Sequence, residues 1–178
     1  MTRTICVYLG SREGNDPDHA MKVRELGRWI GENGHRLIYG GSRIGLMGML
    51  AESALEAGAY VTGVEPRFFV ENELQLEGLS ELVVTEDMTD RNAAMMQWSD
   101  VFIAFPGGTG TLAEISEVMC ALSLGLLKGI CIIYNLNGYY DHLEAQLDHM
   151  TDEGLVLPEK RKKIHFCKTL EEIEKVIA

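Results

Sequence analysis

Short β-branched runs alternate with amphipathic stretches along this chain from one end to the other. Apolar residues cluster at 4–9, 36–39, 60–64, 81–84, 101–105, 130–134 and 163–166. Most of these runs are continuously apolar, as expected of strands buried on both faces. Between them apolar residues recur at helical spacing, as at Val23, Leu26 and Ile30, which predicts helices over 17–32, 45–57, 88–98, 110–126 and 139–152. A last helix is predicted to start near Thr169, whose hydroxyl can cap the backbone while Glu172, three residues on, completes a capping box. Strands and helices in regular alternation predict an α/β fold, a mostly parallel sheet with helices on both faces. No linker or repeat interrupts the pattern, so residues 1–178 are expected to form a single domain. The acidic, weakly periodic stretch 66–80 reads as a surface loop or a short helix near a site.

Composition narrows the class of partner. At 178 residues a globule buries roughly 70% of the surface its unfolded chain exposes, enough for its own core. No apolar run approaches the roughly 18 residues of a membrane span and the start carries no apolar leader, so a soluble, cytoplasmic protein is expected. A formal net charge of −11 repels phosphates at long range and argues against nucleic acid and acidic membranes as partners. Any phosphate must therefore be held locally. Cys6, Cys120, Cys131 and Cys167 form no CxxC pair, and the five histidines show no metal-binding spacing, so neither a disulfide framework nor a metal site is expected.

In an open parallel sheet the turns that follow strands carry the chemistry, and three of these are rich in glycine. They are Gly10-Ser11-Arg12, the run from Gly40 and Gly41 through Gly45 to Gly48, and Pro106-Gly107-Gly108-Thr109-Gly110-Thr111. The third joins a strand to a helix and leaves backbone N–H groups bare. A helix N-terminus with unpaired donors favours an anion by about 0.3 to 2 kcal/mol. Glu114, one turn inside that helix, is poorly explained by phosphate binding alone, because a carboxylate repels the ligand. The plain alternative is that these glycines only make tight turns and close helix–strand contacts, and that Glu114 only complements the helix dipole. Gly108 to Ala113 also fits the loose GxGxxG/A dinucleotide pattern, but the next strand ends at Tyr134-Asn135 without an acid for a ribose. No P-loop sequence occurs.

The stretch Pro106 to Glu114 resembles the PGGxGTxxE motif of the LONELY GUY (LOG) family, long labelled as lysine decarboxylases. Tyr39-Gly40-Gly41 with Gly45-Leu46-Met47-Gly48 is similar to that family's YGGG..GLMG turn, Arg91 with Met95 to its RKxxM segment, and Asn135 to Tyr140 to its NxxGYY stretch. The resemblance implies a Rossmann-like, doubly wound domain, a homodimer with its active site near the subunit contact, and no cofactor. The implied activity is hydrolysis of the N-glycosidic bond of a purine nucleoside 5′-monophosphate, AMP or an N6-modified cytokinin nucleotide, to free base and ribose 5-phosphate. By the same resemblance Arg91 and Glu114 take the catalytic positions, and Gly107, Gly108, Thr109, Gly110 and Thr111 the phosphate turn. Gly10, Ser11, Gly40, Gly41, Gly45, Met95 and Glu117 are further candidates for contact with the substrate. Glu117 could orient Arg91 or simply face solvent.

Breaking an N-glycosidic bond develops positive charge on the ribose. A carboxylate such as Glu114 can stabilise that charge, orient the ribose hydroxyls or activate water, while Arg91 can hold oxygens and orient the carboxylate. The chain departs from the family pattern at Asn92, where a lysine is usual, at Ser42, the third glycine of YGGG, and over 120–125, where an aromatic residue is absent. A second reading is accordingly a nucleotide-binding carrier or sensor that releases its ligand unchanged. A third takes the decarboxylase label literally. Pyridoxal phosphate chemistry needs a lysine for its Schiff base, and Lys22, Lys128 and the 160–163 cluster read as surface positions. Helix 110–126 and its flank carry Ile115, Val118, Met119, Leu122, Leu126 and Leu127, more apolar surface than one face needs, in keeping with a partner subunit or with full burial.

Overall fold

The computed structural model describes residues 1–72 and 74–178. Seven strands, β1 (Thr4–Tyr8), β2 (Arg36–Tyr39), β3 (Tyr60–Pro66), β4 (Glu81–Thr85), β5 (Val101–Ala104), β6 (Ile130–Tyr134) and β7 (Ile164–Cys167), make one sheet in the order β4-β3-β2-β1-β5-β6-β7. Every strand pairing is parallel, so the expected Rossmann-like α/β architecture is observed.

The long helices are α1 (Asp18–Glu32), α2 (Gly45–Glu56), α4 (Met88–Gln97), α5 (Thr109–Leu124), α6 (Asp141–Asp152) and α8 (Leu170–Ile177), with short helices α3 (Arg67–Val70) and α7 (Pro158–Arg161). Side chains alternate across a strand, and β1 shows the result. Ile5, Val7 and Leu9 pack in one cluster with Val23 and Leu26 of α1 and Leu50 of α2. Cys6 and Tyr8 pack in the other with Met95 of α4 and with Ile115 and Val118 of α5. The sheet is thus covered on both faces, and its inner strands are apolar throughout for that reason.

The topology decides where a ligand can sit. After β1 the chain leaves towards α1, and after β5 it leaves towards α5 on the opposite face. These neighbouring strands form the switch point of the sheet, where the departing turns diverge and leave a crevice beyond the strand ends.

Most predicted boundaries hold within two residues. The sixth helix starts at Asp141, two residues later than predicted, because Asn135 intervenes. Its buried amide donates to Asp141 Oδ1 (2.8 Å) and its carbonyl oxygen accepts from the Tyr140 N–H (2.7 Å). That clasp folds Leu136–Gly138 into a 3-10 turn with Asn137 in the left-handed region, φ 51°. Thr169 caps α8, accepting from Glu172 N–H at 3.3 Å. The reciprocal bond of the capping box is shifted by one residue, with Lys168 N–H donating to Glu172 Oε2 (2.6 Å).

The 66–80 stretch contains both of its predicted forms. It opens with α3 and continues as a strap that pairs with the second glycine turn through Ser42 and Gln75. Arg43 N–H donates to the Leu74 carbonyl and Leu76 N–H to the Gly41 carbonyl, each at 2.9 Å. Glu73, inside this stretch, lies outside the described residues. The short α7, Pro158–Arg161, has no counterpart among the predicted elements. No helix among the described residues is long and apolar enough to cross a membrane.

Candidate functional site

A cavity of about 1040 Å³ opens at the switch point. Its floor is the first and third glycine turns, which touch: Gly10 N–H donates to the Pro106 carbonyl at 3.3 Å. A Cβ on Gly107 would lie 2.8 Å from Gly10 N and equally close to Thr111 Cβ, so Gly107 is required by this approach. Gly108 and Gly110 differ, because a Cβ on either would meet no protein atom within 4 Å. Packing does not explain their bareness, which leaves room for an incoming group beside the backbone. Gly108 is also the N-cap of α5 and contributes no side-chain cap. The first-turn N–H groups of α5 have no intrahelical partner and stand free for an anion.

The third turn is braced from behind by two tyrosines of the Asn135 to Tyr140 stretch. Tyr139 Oη donates to the Gly107 carbonyl (2.6 Å) and Tyr140 Oη to the Phe105 carbonyl (2.9 Å). His19 lines the cavity on the same side, edge-on to Phe105 and Tyr139.

Above the floor stands the pair Arg91 and Glu114. Helix α4 is capped by Asp87, whose carboxylate accepts from Thr89 N–H and Asp90 N–H. Arg91 and Met95, four residues apart on that helix, share its buried face. Arg91 Nε donates to the Val64 carbonyl at the end of β3 (2.9 Å), and Nη1 donates to Glu114 Oε1 at 2.6 Å. Both side chains are nearly out of solvent, 8% and 11% exposed. Burial pushes the Glu114 carboxyl above the usual range, and the charge and hydrogen bond of Arg91 pull it back. Gly40 has no room for a Cβ, which would strike Arg91 Nη2.

Eleven of the carried-over residues therefore border one cavity. Gly10, Ser11, Gly40, Arg91 and Met95 come from scattered elements, and Gly107 through Thr111 together with Glu114 from one turn and helix. Gly41, Gly45 and Glu117 are not placed against it. Gly41 (φ 84°) bends the second turn over Glu65, with its carbonyl accepting from Tyr39 Oη. Gly45 (φ 57°) lets that turn pack on the Ser11 backbone. Glu117 accepts from Asn92 Nδ2 (3.3 Å), and Asn92 Oδ1 in turn accepts from Arg91 Nη1 (3.3 Å). Among the described residues Glu117 reaches Arg91 through Asn92.

Sequence reasoning missed Glu65. It lines the cavity, is 1% exposed, and its Oε2 has no hydrogen-bond partner among the described residues. An isolated acid ending an apolar strand, at the edge of the sheet where ligands sit, was the available signal.

A family profile described as "Possible lysine decarboxylase" matches residues 47–177. The cytokinin riboside 5′-monophosphate phosphoribohydrolase of Rhodococcoides fascians is 39% identical over 170 residues, covering 95% of this chain and 86% of that protein. The LOG protein of the same name from Oryza sativa subsp. japonica is 36% identical, covering 96% and 71%. The chain belongs to the LOG family. Among solved structures, a molybdenum cofactor binding protein from Rippkaea orientalis (TM-score 0.72, 20% identity, 99% and 96% covered) and the Moco carrier protein of Chlamydomonas reinhardtii (0.71, 20%, 99% and 96%) share the fold.

Three features of this LOG-family chain bear on its site. Among the described residues no lysine lines the cavity, so the residues present do not fit pyridoxal phosphate, whatever the profile's description suggests. Asn92, in place of the family's lysine, lies outside the cavity lining in the bridge between Arg91 and Glu117. Ser42, in place of a glycine, accepts from Ile44 N–H and pairs with the strap.

Proposed function

We propose that this member of the phosphoribohydrolase family hydrolyses the N-glycosidic bond of a purine nucleoside 5′-monophosphate, AMP or an N6-modified AMP, giving free base and ribose 5-phosphate. The observation that carries this reading is the buried Arg91–Glu114 pair, facing the same cavity as the bare N-terminus of α5. The phosphate rests on the turn from Gly107 to Thr111, where free N–H groups and the helix dipole offset its charge. The ribose then lies beneath Glu114. Arg91 holds the carboxylate in place and favours its ionised form, against the effect of burial. As the C1′–N9 bond lengthens, the carboxylate stabilises the positive charge on the sugar and accepts a proton from the water that attacks C1′. The opposite end of the cavity is apolar, with Ile44, Phe69 and Met88 lining it and still 37–44% exposed. That surface suits a flat base with or without an N6 substituent.

Incubation with AMP and with N6-isopentenyl-AMP, following base and ribose 5-phosphate by chromatography, is expected to show stoichiometric release of both products. The ratio of the two rates reports the preferred base. Tight binding without release from either nucleotide would replace the hydrolase by a non-catalytic carrier or sensor.

We also propose a homodimer built on α5. Ile115, Val118 and Leu122 face the core, but Leu112, Leu124 and Leu126 remain 43%, 67% and 79% exposed on or just beyond the same helix, a patch that a second copy would cover. Light scattering after size exclusion should give twice the chain mass at micromolar concentration, and Leu126→Glu should lower it; a monomeric wild type would sink the proposal.

A further inference from the structure

Glu65 takes no part in the chemistry described so far, yet it is the most completely buried acid in the cavity. The backbone puts it there. Strand β3 ends at Pro66, and the second glycine turn folds over the Glu65 side chain so closely that a Cβ on Gly41 would strike its Cγ. Arg91 is close enough for its charge to act on Glu65, and the apolar Phe69, Leu74 and Met88 line the same cavity. Tyr39, buried beneath the turn, spends its hydroxyl on the Gly41 carbonyl. Nothing among the described residues satisfies Glu65 Oε2. A buried polar atom left without a partner carries an uncompensated desolvation cost, which is unexplained as a device for stability.

Its place along the cavity is set by the sheet. The strand order runs β3-β2-β1-β5, so the ends of β3 and β5 are three strand spacings apart, roughly 14 Å. The phosphate turn follows β5, and the Arg91–Glu114 pair lies between. Glu65 is therefore at the end of the cavity opposite the phosphate, beside the apolar walls assigned to the base.

We propose that Glu65 is the general acid that protonates the departing purine, delivering its carboxyl proton to a ring nitrogen, N7, as the C1′–N9 bond breaks. This inference rests on the hydrolase reading above. The electron pair of the broken bond moves onto the base, which leaves neutral because it gains the Glu65 proton at N7. Water adds to C1′ and releases its proton to Glu114. Glu65 ends as carboxylate and Glu114 as acid, and exchange with solvent restores both, so that one water is consumed per base released. Burial pushes the Glu65 carboxyl up to about 7, with Arg91 drawing it downward, so a large share of it carries the proton at neutral pH. An adenine anion is a poor leaving group, and a positioned acid of this kind contributes typically 10²- to 10⁴-fold.

The test compares two substrates with wild type and Glu65→Gln. AMP needs a proton at N7 to leave as a neutral base, whereas 7-methyl-AMP already carries the equivalent positive charge and needs none. Wild type is expected to cleave both. In Glu65→Gln, kcat on AMP should fall by about 10²-fold or more, with KM changed little, while kcat on 7-methyl-AMP stays within about threefold of wild type. The second substrate also establishes that the variant is folded. Equal losses on both substrates, a change confined to KM, or no change would each overturn the assignment while leaving the hydrolase in place. A wild type that cleaves neither AMP nor 7-methyl-AMP would remove the hydrolase reading, and this one with it.

Discussion

Glu114→Gln is expected to keep the fold and the affinity for nucleotide while base release from AMP falls by about 10²-fold or more, the scale of losing a catalytic base. The substitution is nearly isosteric. The amide oxygen can still accept from Arg91 Nη1, now 2.6 Å from Glu114 Oε1, so Arg91 keeps a partner and α4 stays docked on α5. What disappears is the negative charge facing the ribose and the ability to take a proton from water. Because those interactions strengthen only as the C1′–N9 bond breaks, the loss should appear in kcat and kcat/KM alike, with KM nearly unchanged. Steady-state kinetics of the purified variant measures this split. A loss confined to KM would make Glu114 a ground-state contact with the ribose rather than a participant in the reaction.

Arg91→Met should destabilise the protein by about 3–5 kcal/mol at neutral pH, the usual cost of leaving one member of a buried ion pair without the other. The methionine fills much of the space but leaves Glu114 buried without a counter-charge and the Val64 carbonyl without its donor. The effect should depend on pH, and its sign is fixed. Burial holds the folded-state value of Glu114 above the ordinary 4.5, so the folded protein binds this proton more tightly than the unfolded chain does. Stability from such a group is fully present below the unfolded value and is lost as pH rises through the folded one. Removing Arg91 takes away the main influence that lowers the folded value, so the decline steepens and extends to higher pH. Urea unfolding should find Arg91→Met nearest to wild type around pH 4.5 and furthest from it near pH 8. Arg91→Met combined with Glu114→Gln should recover part of the loss, since no charge is then stranded. A deficit that is constant over this range would assign the damage to packing and the lost Val64 bond.

Both experiments bear on residues that the sequence could name, and the reason is local. The turn from Pro106 to Thr111 and Glu114 lie within one continuous stretch, so their relation to each other follows from helix geometry alone. Arg91 with Met95 is likewise a one-turn relation on one helix. Relations that span the chain were less legible. The approach of Gly10 to Gly107 joins β1 to β5, nearly a hundred residues apart, and the role of Gly45 against Ser11 exists only because two turns share a crevice. Glu117, a further candidate by resemblance, turns outward to Asn92 because the buried face of α5 is taken by Ile115 and Val118. Asn92 shows in the sequence only as a departure from the family pattern, and the direction of its side chain, towards Glu117, places it outside the cavity.

The sequence by itself determined the class of fold, because a continuously apolar run alternating with a 3.6-residue repeat is satisfied only by strands buried between helices. It also determined the anion-ready turn, since bare glycines before a helix leave N–H groups free wherever that helix is placed. The tertiary structure decided the strand order, which puts the switch point between β1 and β5 and so fixes where the crevice opens. It alone brought Glu65 to that crevice and buried it without a partner. Burial and pairing depend on which distant elements cover a side chain, and no local pattern around a single glutamate at the end of a strand encodes them.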